Sequence, residues 1–183
     1  MSDLREINLN NALNHYNCSD VEQAIEIAVR NLQYRRMSVV EYEQAIQSAQ
    51  LARKQKHCDD AKFNRENEGH PLGESRRFRI EAADFFWKLS GAVGPESIPQ
   101  NVVNELIQSL FDCCATVRHQ LTRALGRWQF SDAVSSLKEL AVNESDSDWV
   151  REAANEAVNV HLGALSFSDT RWLRDPSTPS HKF

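Results

Sequence analysis

Two His–Cys pairs offer the first chemistry. His15 and Cys18 stand about one helical turn apart, and His57 is followed directly by Cys58. Brought together, they would present the nitrogen and thiolate donors that zinc takes. The separation between the pairs matches no zinc framework, and a helical Cys ordinarily serves as a small buried hydrophobe. The expectation is therefore no metal and no cofactor. Cys113 and Cys114 adjoin just before an Arg-bearing segment, with His119 nearby. A helix N-terminus and a cation can depress a thiol pKa and make a nucleophile of it. No acid orients the His in sequence, and the position reads better as a corner between helices. No catalytic constellation is legible, and the reading leans away from an enzyme.

Charge is the second resource. Arg53, Lys54 and Lys56 close one predicted helix, and Arg76, Arg77 and Arg79 open another. Cations at a helix C-terminus complement its dipole, so the first cluster needs no partner; cations at a helix start are mildly unfavourable, so the second cluster asks for one. An anionic protein surface is the first answer. RNA or DNA is a weaker one, because the whole chain carries a net charge of −5 over its 183 residues and so repels a polyanion.

These residues must be held by helices. Six Gly and five Pro are too few for a chain of tight β-turns. Val21, Ala24, Ile25, Ala28, Val29 and Leu32 recur with helical spacing behind the capping types Ser19 and Asp20. Val39, Tyr42, Ala45, Ile46, Ala49 and Ala52 do the same after Ser38, and Leu4, Ile7, Leu13 and Tyr16 suggest a weaker first helix. The polar stretch Asp59 to Ser75 reads as a loop. Beyond it, Phe78, Ala82, Phe85, Phe86 and Leu89 line one face, with Ile80 and Trp87 on the other, as in a helix sandwiched between layers. Four cysteines at irregular spacing read as reduced thiols, and Met1-Ser-Asp-Leu-Arg-Glu does not read as a signal peptide. With no apolar run long enough for a membrane span, a cytoplasmic protein is expected.

The chain also repeats itself. Val117-Arg118, Leu121, Ala124 and Leu125 lie over Val150-Arg151, Ala154, Ala157 and Val158, with Asp112 and Asp146 ahead of each run. Apolar helices precede both: Val103, Leu106 and Leu110, then Val134, Leu137 and Leu140. Phe78-Arg79, Ala82, Phe85 and Phe86 form a fainter upstream copy. This pattern, with Gly126 closing one helix, resembles the HEAT repeat of the phycobilisome-lyase-related type over roughly residues 76 to 163. One departure is Gln129-Phe130, where that family usually has Gly-Asp after the turn.

The resemblance implies an all-α fold, a short α-solenoid of antiparallel helix pairs with about eight helices. It divides the chain into an N-terminal helical segment (1–60), a polar loop (61–75), HEAT-like repeats (76–165) and a tail (166–183). It implies that the Asp and Arg residues link adjacent units through turn hydrogen bonds. Trp128 is expected in the core, Phe130 exposed, and Trp149 at the last helix start. Phe167, Trp172 and Leu173 are expected to cover the final repeat.

The implied function is binding another protein, as an adaptor or as an immunity-type inhibitor. The site would be a polar concave strip of Gln100, Asn101, Asn104, Glu105 and Gln108, continued by Ser131, Asp132, Ser135, Lys138 and Glu139, with Arg76, Arg77 and Arg79 bordering it. A bilin lyase or other tetrapyrrole-handling protein is the alternative carried by the resemblance, and a nucleic-acid-binding helical repeat is the second.

Overall fold

The computed structural model describes residues 9–10, 13–14, 16–18, 20–34, 36, 41, 44, 47 and 71–173, the side chains of 71–75 excepted. Among these residues the structure is all-helical, with six α-helices and no strand. The His15, His57 and Cys58 ligand positions, the Arg53–Lys56 cluster and most of the helix expected from Val39 to Ala52 lie outside the described residues; Glu41, Gln44 and Gln47 within that helix are helical.

Helix α1 spans Val21–Gln33, and Asp20 caps it by accepting the Glu22 N–H at 3.2 Å. Its buried stripe is Ala24, Ile25, Ala28 and Leu32, the spacing that predicted it. Helix α2 spans Pro71–Ser90 and begins earlier than its apolar pattern suggested, so the end of the expected polar loop is helical. Proline at the first helical position has the right fixed φ and gives up an N–H that would be unbonded anyway. The helix packs against both α1 and the later α4. That accounts for its apolar breadth: Ala82, Ala83, Phe85, Phe86, Trp87 and Leu89 are all buried.

The remaining helices are α3 (Gln100–Ser109), α4 (Ala115–Trp128), α5 (Val134–Val142) and α6 (Asp148–His161). Helix α4 packs on α2 and on α6, so these three form a row; α3 packs on α4, and α5 on α6. Small residues let the row close up. A Cβ placed on Gly126 would come within 2.6 Å of the Ala157 Cβ. Helix α4 ends at Gln129, whose φ of 56° puts a non-glycine residue in the left-handed region. The turn in which Gln129-Phe130 departs from the repeat pattern is thus made at a backbone cost. Trp128 is buried and its indole N–H reaches the Val93 carbonyl at 3.0 Å, while Phe130 is half-buried against it rather than exposed.

A buried polar chain joins the helix corners. Arg79 Nε donates to Asp112 Oδ2 at 2.7 Å, and the other Asp112 oxygen accepts the Cys114 N–H at 2.8 Å. Arg118 donates to the Asp112 main-chain carbonyl and, through Nε and Nη2, to both oxygens of Asp146 at 2.7 and 2.6 Å. Arg79, Asp112, Arg118 and Asp146 are all buried, and each charge has its counterpart. Burying a charge is tolerable on those terms. Arg151, which follows in the repeat pattern, pairs instead with exposed Asp148 on its own helix.

Candidate functional site

The three arginines expected to border a binding site have three different surroundings. Arg76 is exposed, and its Nε lies 3.4 Å from Cys114 Sγ. Arg77 is exposed and pairs with Glu81 one turn along at 2.8 Å. Arg79 is buried in the Asp112 pair and offers no surface. Because α2 starts at Pro71, the three also lie inside the helix rather than at its first turn. The dipole argument that singled them out therefore loses its force, since the effect is confined to the terminal turn.

The polar strip divides in a similar way. Gln100, Asn101, Asn104 and Gln108 are exposed on α3, and Ser131, Asp132, Ser135, Lys138 and Glu139 are exposed at and along α5. Gln100 reaches from α3 to the turn ahead of α5 by donating to Asp132 Oδ2 at 2.9 Å, and also donates to Asn104 Oδ1 on its own helix at 3.1 Å. Glu105 does not belong to this exposed set. It is buried, takes a hydrogen bond from Gln33 at 2.9 Å, and pairs with Arg36, which also donates to Ser109 and Gln108. A carboxylate on the inner edge of α3 is held there because α1 and its following turn bring it a cation.

The cysteine corner is not set up as a nucleophile. Burial raises the Cys113 thiol above its usual range, and the neighbouring Asp112 carboxylate adds to the rise, against a smaller lowering by Arg79. Cys114 is buried at the start of α4. Cys18, Cys113 and Cys114 are all free thiols. Among the described residues no three or more His, Cys, Asp or Glu side chains are grouped to hold a metal ion. No described helix is long and apolar enough to cross a membrane.

A further set of interactions lies elsewhere, on the α2–α4–α6 row. The Arg123 guanidinium stacks 3.7 Å from the Trp87 ring centroid, with Arg127 at 5.3 Å. His119 is buried between Trp149, 4.6 Å away, and Trp172, 5.2 Å away, both edge-on. Trp172 belongs to a strap, residues 166–173, which leaves α6 through a turn at Gly163 and returns over α4 and α6. Its Leu173 is buried beside Gly126. Residue types alone had suggested that Trp172 and Leu173 fold back; the strap's receptors were not legible. Glu156 accepts the Arg171 and Trp172 N–H groups at 2.9 and 2.8 Å, Glu152 accepts the Trp172 indole N–H at 3.1 Å, and Arg123 donates to the Trp172 carbonyl. The one available hint was the one-turn spacing of Glu152 and Glu156 on α6.

Compared with protein-family models, curated proteins and solved structures, the chain finds no match in any of the three.

Proposed function

We propose that the chain is a protein-binding module in which HEAT-like helix pairs, stacked as a short solenoid, present a polar surface to another protein as an adaptor or inhibitor. The repeat reading is supported by register: Arg79 and Arg118 come from corresponding places on α2 and α4 and reach Asp112 and Asp146 with the same Nε–Oδ2 contact. The observation that carries the binding reading is the exposed strip. Asn101, Asn104 and Gln108 on α3 continue through Asp132 into Ser135, Lys138 and Glu139 on α5, with Gln100 and Asp132 in contact across the join. Asn101, Ser135, Lys138 and Glu139 make no hydrogen bond to another described side chain, so their donors and acceptors stay available to a partner. The exposed strip is amide-rich and mildly acidic, with Asp132 and Glu139 against Lys138, which favours a partner of basic or amide-rich chemistry.

The test is affinity capture from native lysate with the full chain, followed by a measured affinity for each protein identified. A variant carrying Asn104→Arg, Lys138→Glu and Glu139→Lys should keep its helical circular dichroism and lose about tenfold or more in affinity. A partner that binds this variant as tightly as the original places its site off the strip and overturns the reading.

A further inference from the structure

The strap is bound in the manner of a docked peptide. Glu156 reads successive main-chain N–H groups, Arg123 reads the Trp172 carbonyl, and Leu173 is buried over Gly126. Every receptor group comes from α4 or α6, so the seat is complete without the strap. We infer that the α4–α6 groove is a peptide-docking site which the chain's own residues 166–173 occupy in cis. Its partner in trans is an extended segment carrying a basic–aromatic–aliphatic triplet, the chemistry of Arg171-Trp172-Leu173.

Each element of that specificity has a receptor. Main-chain hydrogen bonds supply affinity for an extended chain, and side-chain seats supply selectivity. Glu152 accepts the aromatic residue's indole N–H and lies 3.9 Å from the Arg171 guanidinium, so it favours a basic residue before an aromatic one. The aromatic ring covers His119, and the aliphatic residue needs the missing Cβ of Gly126.

Displacement exchanges the strap for an occupant that makes the same contacts. Leu173 is fully buried over Gly126, so a partner must refill that seat with an aliphatic side chain of its own. Glu152 and Arg171 are already exposed, and water can replace the strap at Glu156. The buried Nε2 of His119 has no hydrogen-bond partner under the closed strap and gains one from water when it opens. The exit turn can swing: Leu162, Gly163 and Ala164 are exposed, and nothing lies within 4 Å of a Cβ built on Gly163, whose φ is 71°.

This surface is distinct from the α3–α5 strip, so the two readings fail separately. The test uses the full chain with Trp172→Ala and Leu173→Ala, which takes the anchors out of the strap and leaves the receptor groups intact. The probe is a fluorescent synthetic peptide with the sequence of residues 166–173. A tethered strap competes at an effective concentration in the millimolar range, and the apparent affinity falls with the fraction of open groove. The variant should therefore bind the peptide saturably and at least about tenfold more tightly than the original chain. A peptide with Ala in place of the Trp-Leu pair should not bind, and adding Glu156→Ala to the variant should abolish most of the gain. A second opening variant, Trp172→Ala alone, removes one anchor of the strap, leaves every receptor group in place, and should raise peptide affinity over the original chain by a smaller factor. A folded double variant that binds no peptide, or binds both peptides alike, overturns the inference. So does a chain that loses its cooperative fold in both opening variants, because a segment required for folding cannot be exchanged for a partner.

Discussion

Arg118 of α4 grips Asp146, the acid that precedes α6, with two parallel hydrogen bonds of 2.7 and 2.6 Å, both side chains being buried. The same arginine closes on the Asp112 carbonyl, so one side chain fastens three successive parts of the chain. Removing it leaves the Asp146 carboxylate buried without a cation. Arg118→Ala is expected to cost about 3–5 kcal/mol in urea denaturation. Arg151→Ala breaks a pair with Asp148, an exposed side chain, and should cost at most about 1 kcal/mol. Equal costs at the two positions would show that the buried pair carries no special weight.

Gly126 sits where α4 and α6 approach most closely. A methyl group there would meet Ala157 Cβ at 2.6 Å and Leu173 Cδ2 at 3.1 Å. Ala is the better helix former by about 1 kcal/mol, so on propensity alone Gly126→Ala would stabilise the chain. Overpacking against a helix backbone costs about 1–3 kcal/mol, and the neighbour here is not the end of a flexible side chain. The expected result is a net loss of stability together with faster amide exchange in residues 171–173. A gain in melting temperature would mean that the two helices separate easily.

The helix stripes were legible because apolar spacing is set by the helix itself: Ala24, Ile25, Ala28 and Leu32 follow the pattern and are buried. The Arg–Asp contacts were legible through the repeat, which matched Arg118 with Arg151 and Asp112 with Asp146 and whose resemblance implied that such residues link adjacent units. Glu105 was misread because a helix face shows polarity in sequence but not what packs on it; Arg36, far away in the chain, turns that carboxylate inward. Arg79 failed as a surface residue for the same reason, its partner Asp112 lying on another turn. The strap's receptor groups on α4 and α6 follow no motif. They meet the tail only through the turn after α6, and a long-range backbone contact leaves no spacing to read.

Gln129 ends α4 in the left-handed region, where a Cβ crowds the backbone. Its N–H caps the Leu125 carbonyl at 2.9 Å, a role any residue but proline can fill, and its side chain is exposed. Gln129→Gly should raise stability by up to about 1 kcal/mol, the relief of strain being partly offset by the greater entropy of the unfolded chain. Gln129→Val should lower it, since a β-branched residue tolerates positive φ least. The melting temperatures of the two variants should therefore fall on opposite sides of the original. If both fell below it, the Gln129 side chain would be contributing more than its backbone costs.

His119 gives the fold a pH dependence whose direction follows from its surroundings. Burial first, and then the nearby Arg123 guanidinium, together lower its pKa from the usual 6.5 to about 4. The two aromatic neighbours, Trp149 of α6 and Trp172 of the strap, bring no compensating charge. The folded chain therefore keeps His119 neutral down to about pH 4, while the unfolded chain takes up a proton below about pH 6.5. Between those values the unfolded state binds more protons, so stability falls as the pH is lowered through that window and is fully present above it. The loss attributable to this one group is about 1–3 kcal/mol. Carboxylates titrate over part of the same range, so the measurement must be a difference. Urea midpoints of the original chain and of His119→Phe, taken from pH 7 to pH 4, cancel what the two have in common. The Phe variant keeps an aromatic ring between the two tryptophans and cannot take up a proton. Its stability relative to the original chain should rise steadily as the pH drops from about 6.5 towards 4. A constant difference across that range would mean that water already reaches His119 Nε2 in the folded chain, and that the strap does not seal it.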